Sequence, residues 1–166
     1  MILNVFNPKF CLTSHLNSSW CAGVYDSVDE KIPVEVAQGI PRLKFSQCPE
    51  SKEDWFCGVI ALDPAWCSLD LEPFKFLNFN FYADDNLCCR VGLKDASDND
   101  SVELEMSREP NCAEGQESHL CIDLSRFSPD KGADFNPSEA RLLKVVGYNN
   151  SAFYISEVSL SDAPST

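Results

Sequence analysis

Apolar and polar residues alternate most clearly over 74–83, which reads Phe-Lys-Phe-Leu-Asn-Phe-Asn-Phe-Tyr-Ala. Leu77, Phe79 and Phe81 fall on one face, and Asn78, Asn80 and Tyr82 on the other. A period of two predicts a strand with one buried and one polar face. Asp84-Asp85-Asn86 is a turn cluster. A second strand follows over 87–94, with Leu87, Cys89, Val91 and Leu93 inward and Cys88, Arg90, Gly92 and Lys94 outward. After a polar turn at 95–100, Val102, Leu104 and Met106 oppose Glu103 and Glu105 in a strand over 101–107. Further strands are predicted over 119–124, 140–148 and 152–160, with 149–151 as the link between the last two. The segments 34–37, 42–46 and 56–62 are short apolar strands. Helical signals are sparse: Asp63 caps a turn with Pro64 at its first position, and 138–140 holds another. This spacing of short strands predicts an all-β, antiparallel β-sandwich of jelly-roll type. Residues 1–161 form one domain, and the small, polar residues 162–166 read as a frayed tail or linker.

Composition narrows the class. The chain has 166 residues, 44% of them hydrophobic, enough for one packed core. Its net charge of −13 disfavours nucleic acid and anionic membranes as partners, since both reward Lys and Arg. No apolar run reaches membrane-spanning length. The N-terminus shows neither a basic segment nor an apolar leader. Two readings follow: a cytosolic chain, or a piece of a longer secreted protein. The nine cysteines are odd in number, lack a C-x-x-C pair and accompany only two histidines, His15 and His119. Packing is the favoured use of these thiols, with a Cys112–Cys121 bridge as the alternative that closes a short loop. Sequons at Asn17, Asn99 and Asn149 are compatible with secretion and are also expected by chance.

No nucleophile elbow, phosphate loop, zinc-protease or dinucleotide fingerprint is present. The acidic turn at 95–100 resembles part of a calcium loop but lacks its glycine and terminal glutamate, so it reads as a solvated turn. No cofactor is required, and a structural calcium elsewhere is compatible with the chain. Aromatic residues are spread along the sequence. Trp66 belongs to packing, while Phe135 and Tyr154 fit packing and exposure equally.

Four stretches, in order, carry a resemblance. They are Trp55-Phe-Cys-Gly-Val-Ile-Ala-Leu; Trp66 running into Leu77-Asn-Phe-Asn-Phe-Tyr-Ala-Asp84; Arg90-Val-Gly-Leu-Lys-Asp-Ala96; and Leu120-Cys-Ile-Asp-Leu-Ser-Arg-Phe127, with 143–150 and 153–160 behind it. Over about 50–160 the chain resembles carbohydrate-binding modules with a galactose-binding-like jelly roll, above all the β-glucan-binding family 11 modules. The resemblance implies a concave sheet that grips a polysaccharide, with Trp55 and Tyr148 stacking on sugar rings and Trp20 or Tyr25 as a third platform. Arg90, Asn78, Asn80 and Tyr82 are the expected hydrogen-bonding groups, as an outward polar set on neighbouring strands. Rings cover sugar C–H faces, while amides and guanidinium groups bond hydroxyls. The expected function is non-catalytic binding of a neutral β-glucan or hemicellulose, targeting a linked enzyme or scaffold. The expected setting is extracellular, as a monomeric module of a multimodular protein. The alternative is an intracellular protein-binding sandwich similar to complex I assembly factors.

Overall fold

The computed structural model describes residues 1–6, 22–24, 34–37, 39–45, 55–63, 65, 67–83, 88–106, 115–148 and 153–165. These residues contain the strands β1 (Ile2–Phe6), β2 (Ala22–Val24), β3 (Val34–Ala37), β4 (Ile40–Phe45), β5 (Trp55–Ala61) and β6 (Phe76–Ala83). They continue with β7 (Cys89–Asp95), β8 (Leu104–Met106), β9 (Ser118–Asp123), β10 (Ala140–Tyr148) and β11 (Phe153–Ser161). Two short 3-10 turns, Leu124–Arg126 and Pro137–Glu139, are the helical elements among the described residues. The side chains of Asp123 and Asn136 cap them by accepting from the amides of Ser125 and Ser138.

The strands form two antiparallel sheets. Sheet A has the order β3-β4-β11-β6-β9, and sheet B the order β2-β5-β10-β7-β8. In sheet A, β6 occupies one edge of β11 from Phe153 to Ser161. The opposite edge of β11 is shared: β4 pairs with Phe153–Ile155, and β1 pairs with Val158–Ser161. In sheet B, β10 is central, flanked by β5 and β7.

The inward residues of both sheets meet in one core. Leu77, Phe79 and Phe81 of β6, Phe45 of β4 and Leu160 of β11 pack with Ile60, Val91, Leu93, Leu143 and Val145 of sheet B. Each such side chain contributes about 1.5–3 kcal/mol when withdrawn from water. Phe135 joins this core, whereas Tyr154 lies half-buried on the outer face of sheet A.

Three expectations change. The strands β6 and β7 are not neighbours, because β6 belongs to sheet A and β7 to sheet B. Strands β1 and β2 were not signalled by alternation. Cys121 carries a free thiol, so the Cys112–Cys121 bridge does not form. In the tail, the Ser165 hydroxyl bonds Asn78 on β6 at 2.6 Å.

Candidate functional site

The outward residues of sheet B bring together aromatic, cationic and acidic groups from four strands. Trp55 opens β5 and stands directly opposite Tyr148, the last residue of β10. The main chain fixes this meeting, since the pairing that sets Leu143 against Ile60 in the core also sets Tyr148 against Trp55 outside. Tyr148 is further pinned by its amide, which donates to the Cys88 carbonyl at 2.9 Å. Trp55 is 41% exposed, unusual for so large an apolar side chain and consistent with a surface that meets something. The Arg90 guanidinium lies over the Tyr148 ring, 5.7 Å from its centroid, and approaches Glu105 at 3.6 Å.

Away from the aromatic pair, the same face becomes charged. Lys144 pairs with Gly92 on β7 and Val59 on β5. Its ammonium lies 2.7 Å from Asp100 and 3.6 Å from Glu103, and Lys94 reaches Asp100 at 3.6 Å. Burial works against the Lys144 charge, but the hydrogen bond to Asp100 and the charges of Asp100 and Glu103 outweigh it and raise its pKa. Beside it, burial pushes the Cys57 thiol up, so this cysteine is held as a neutral thiol at pH 7. Val59, Ala61 and Leu142 form a small buried apolar cluster at the end of the face opposite Trp55. Lys144 was missed by sequence reasoning, although its outward parity on 140–148 was available.

The remaining candidates lie elsewhere. Asn78, Asn80 and Tyr82 face outward from sheet A, on the opposite side of the sandwich from Arg90 and Trp55. They form a second polar face: Asn80 lies in register between His119 and Glu157, and Asn78 between Cys121 and Ser159. Arg42 is clasped between the Tyr82 and Tyr154 rings at 4.6 and 4.8 Å. Burial, followed by the Glu117 carboxylate, raises the Tyr82 phenol above its ordinary pKa. Trp20, Tyr25 and Trp66 lie outside the described residues. Asp95, the first residue of the calcium-like turn, spends its oxygens on protein N–H groups. Among the described residues no group of three or more His, Cys, Asp or Glu side chains could hold a metal ion.

This is an antiparallel β-sandwich of jelly-roll type with an aromatic pair on one outer face. No protein-family model and no curated protein sequence matches the chain. Among solved structures it is similar to the family 30 carbohydrate-binding module of a cellulosomal cellulase of Clostridium thermocellum, at 15% identity, TM-score 0.66 and 98% of each chain. It is also similar to the family 11 carbohydrate-binding module of a cellulosomal cellulase of that organism, at 11% identity and TM-score 0.63, over 98% of this chain and 94% of that one. A family 11 module from Clostridium thermocellum in complex with a β-1,3-1,4-mixed-linked tetrasaccharide matches at 12% identity and TM-score 0.61, over 98% of this chain and 95% of that one. At these identities the likeness is one of fold.

Proposed function

We propose that the chain is a non-catalytic carbohydrate-binding module whose outer sheet B face takes a neutral polysaccharide. The observation that carries this reading is the cross-strand pair of Trp55 and Tyr148, outward and with Arg90 over the Tyr148 ring. Two adjacent rings offer apolar surface to the C–H faces of successive sugars, and Arg90 supplies hydrogen bonds to hydroxyls. Lys144, Lys94, Asp100 and Glu103 extend the polar part of the same face. The ligand class is a soluble β-glucan or hemicellulose, and the task is to hold a linked enzyme or scaffold on it outside the cell. Asn78, Asn80 and Tyr82 take no part in this site, being on the other sheet. The likeness in fold to a module seen with a mixed-linked glucan tetrasaccharide supports the choice of ligand.

Native gels containing β-glucan, xyloglucan, xylan or mannan test the reading. At least one polysaccharide is expected to retard the protein. Trp55→Ala should abolish the retardation, with circular dichroism unchanged. Loss of one well-packed stacking aromatic at a binding surface costs about 2 kcal/mol or more, roughly thirtyfold in affinity. Free migration of the wild-type protein in all four gels would sink the proposal.

A further inference from the structure

Among the described residues sheet A ends on β9, the longest strand at a sheet edge: β9 has six residues, β3 four, and β2 and β8 three each. Very short edge strands discourage pairing with another chain, as do Lys, Pro and bulges. β9 carries none of these guards. It reads Ser-His-Leu-Cys-Ile-Asp and keeps one register with β6 along its whole length. Two hydrogen bonds fix which of its main-chain groups are spent. The Leu124 amide donates to the Lys75 carbonyl at 2.8 Å, and the Asn80 carbonyl, accepting from Ser156 Oγ at 3.1 Å, turns toward β11. Even-numbered residues of β6 thus bond β11, and odd-numbered ones bond β9. By the register, Ser118, Leu120 and Ile122 are the residues of β9 that bond β6. His119 and Cys121 direct their N–H and C=O groups, and Asp123 its N–H, out of the sheet. Among the described residues no further strand takes them up.

We propose that β9 pairs with β9 of a second copy of this chain, antiparallel and centred on Cys121, joining two A sheets edge to edge. Each Cys121 amide then donates to the other Cys121 carbonyl, and each Asp123 amide to the other copy's His119 carbonyl. The same register is complementary in its side chains. Asp123, the one carboxylate of β9, stands opposite His119 instead of opposite itself. Leu120, only partly buried against its own core, stands opposite Ile122 of the other copy and gains cover there. Antiparallel pairing of one strand with its own copy places a two-fold axis perpendicular to the joined sheet, so the contact is isologous and closed. Both sheet B faces therefore look to the same side. On the reading proposed above for that face, one polysaccharide surface meets two sites at once, which strengthens retention without any new contact to sugar. The contact is small, and two chains of charge −13 repel each other, so the dimer is weak and forms in concentrated protein. It replaces the monomer expected from the sequence.

Analytical ultracentrifugation and amide hydrogen exchange followed by NMR, from about 0.01 to 1 mM protein, test the pairing. The dimer fraction is expected to rise with concentration. As it rises, exchange should slow at the Cys121 and Asp123 amides. The Leu120 and Ile122 amides, already bonded to β6, should be protected at every concentration. Cys121→Lys sets two like charges opposite each other at the axis and should weaken association about fivefold, although it lowers the net charge that drives the chains apart. Cys121→Val, which sets a β-branched pair at the same place, should retain association. Circular dichroism should be unchanged in both variants. A protein that stays monomeric up to about 1 mM overturns the proposal. So does a dimer whose exchange protection falls outside β9, or one that Cys121→Lys leaves intact. Trp55→Ala should leave association unchanged, so the strand pairing and the sugar binding fail or succeed separately.

Discussion

Asp95 is 1% exposed, an expensive place for a carboxylate unless its oxygens are bonded. Its Oδ1 accepts from the amides of Ser97 and Asn99, both at 2.9 Å. Its Oδ2 accepts from Asn99 Nδ2 at 3.1 Å and from the Asn136 amide at 3.0 Å. One side chain thereby closes the turn after β7 and ties it to the segment leading into β10. Burial alone would raise the Asp95 pKa, but the hydrogen bonds from Asn99, Asn136 and Ser97 outweigh it and hold the pKa below the ordinary aspartate value. Asp95→Asn removes the charge and turns an NH2 group toward these donors, and should cost about 3 kcal/mol. A depressed folded-state pKa gives stability that is full above the unfolded value of about 3.9 and is lost as pH falls through the folded value. The gap in urea midpoint between wild type and Asp95→Asn should therefore be wide at pH 7 and narrow at pH 3. A gap that stays constant with pH would show that the ionised carboxylate is not what matters. The sequence showed Asp95 as the start of an acidic turn. It could not show the burial, because Asn136 is 41 residues away and its approach is made by the fold.

At the scale of elements, strand existence was legible and sheet membership was not. Alternation placed Leu77, Phe79 and Phe81 inward and Arg90 and Lys94 outward, all as observed. Alternation looks the same whether two successive strands pair as a hairpin or arch between sheets, and β6 and β7 arch. That ambiguity put Asn80 and Arg90 on a shared face in the reading, although they look away from each other across the core. Tyr148 opposite Trp55 also lay beyond reach of periodicity, because a register between strands about ninety residues apart is set by packing. β2 was missed because Ala22–Val24 is too short to alternate, and β1 because its partner, β11, is at the far end of the chain. Gly92 shows how closely the sheet B strands fit. A Cβ there would meet Glu103 Cγ at 3.3 Å and Lys144 Cε at 3.4 Å. The bare glycine lets the Lys144 stem cross β7 toward Asp100 and Glu103. Gly92→Val should overpack this crossing, lower stability by about 1–3 kcal/mol and dislodge Lys144. Chemical unfolding, with the Lys144 ammonium signal followed by NMR, measures both effects. An unchanged Lys144 environment in a stable Gly92→Val protein would disprove the role given to the glycine.

The whole molecule adds a field that no single contact carries. Thirteen Lys and Arg against 26 Asp and Glu leave a net charge of −13. Such a field does no work on an uncharged glucan, but it draws a cation toward every part of the surface and is screened by salt within about 10 Å at 0.1 M. Binding of an uncharged chain at the Trp55 face should therefore be nearly independent of ionic strength. Raising NaCl from 20 to 500 mM is expected to leave polysaccharide retardation at the Trp55 face almost unchanged, because stacking and hydroxyl hydrogen bonds carry no net charge. The field also limits what the sheet B face selects. Arg90 and Lys144 are each offset by neighbouring carboxylates, Glu105 for the first and Asp100 with Glu103 for the second. A polyanion such as pectate meets no uncompensated positive site at either of them and should be rejected at low salt, where repulsion is strongest. Isothermal titration at the two salt concentrations, with β-glucan and pectate in turn, reads both expectations. Glucan affinity that fell steeply with salt would mean that charge, rather than the aromatic pair, carries the binding.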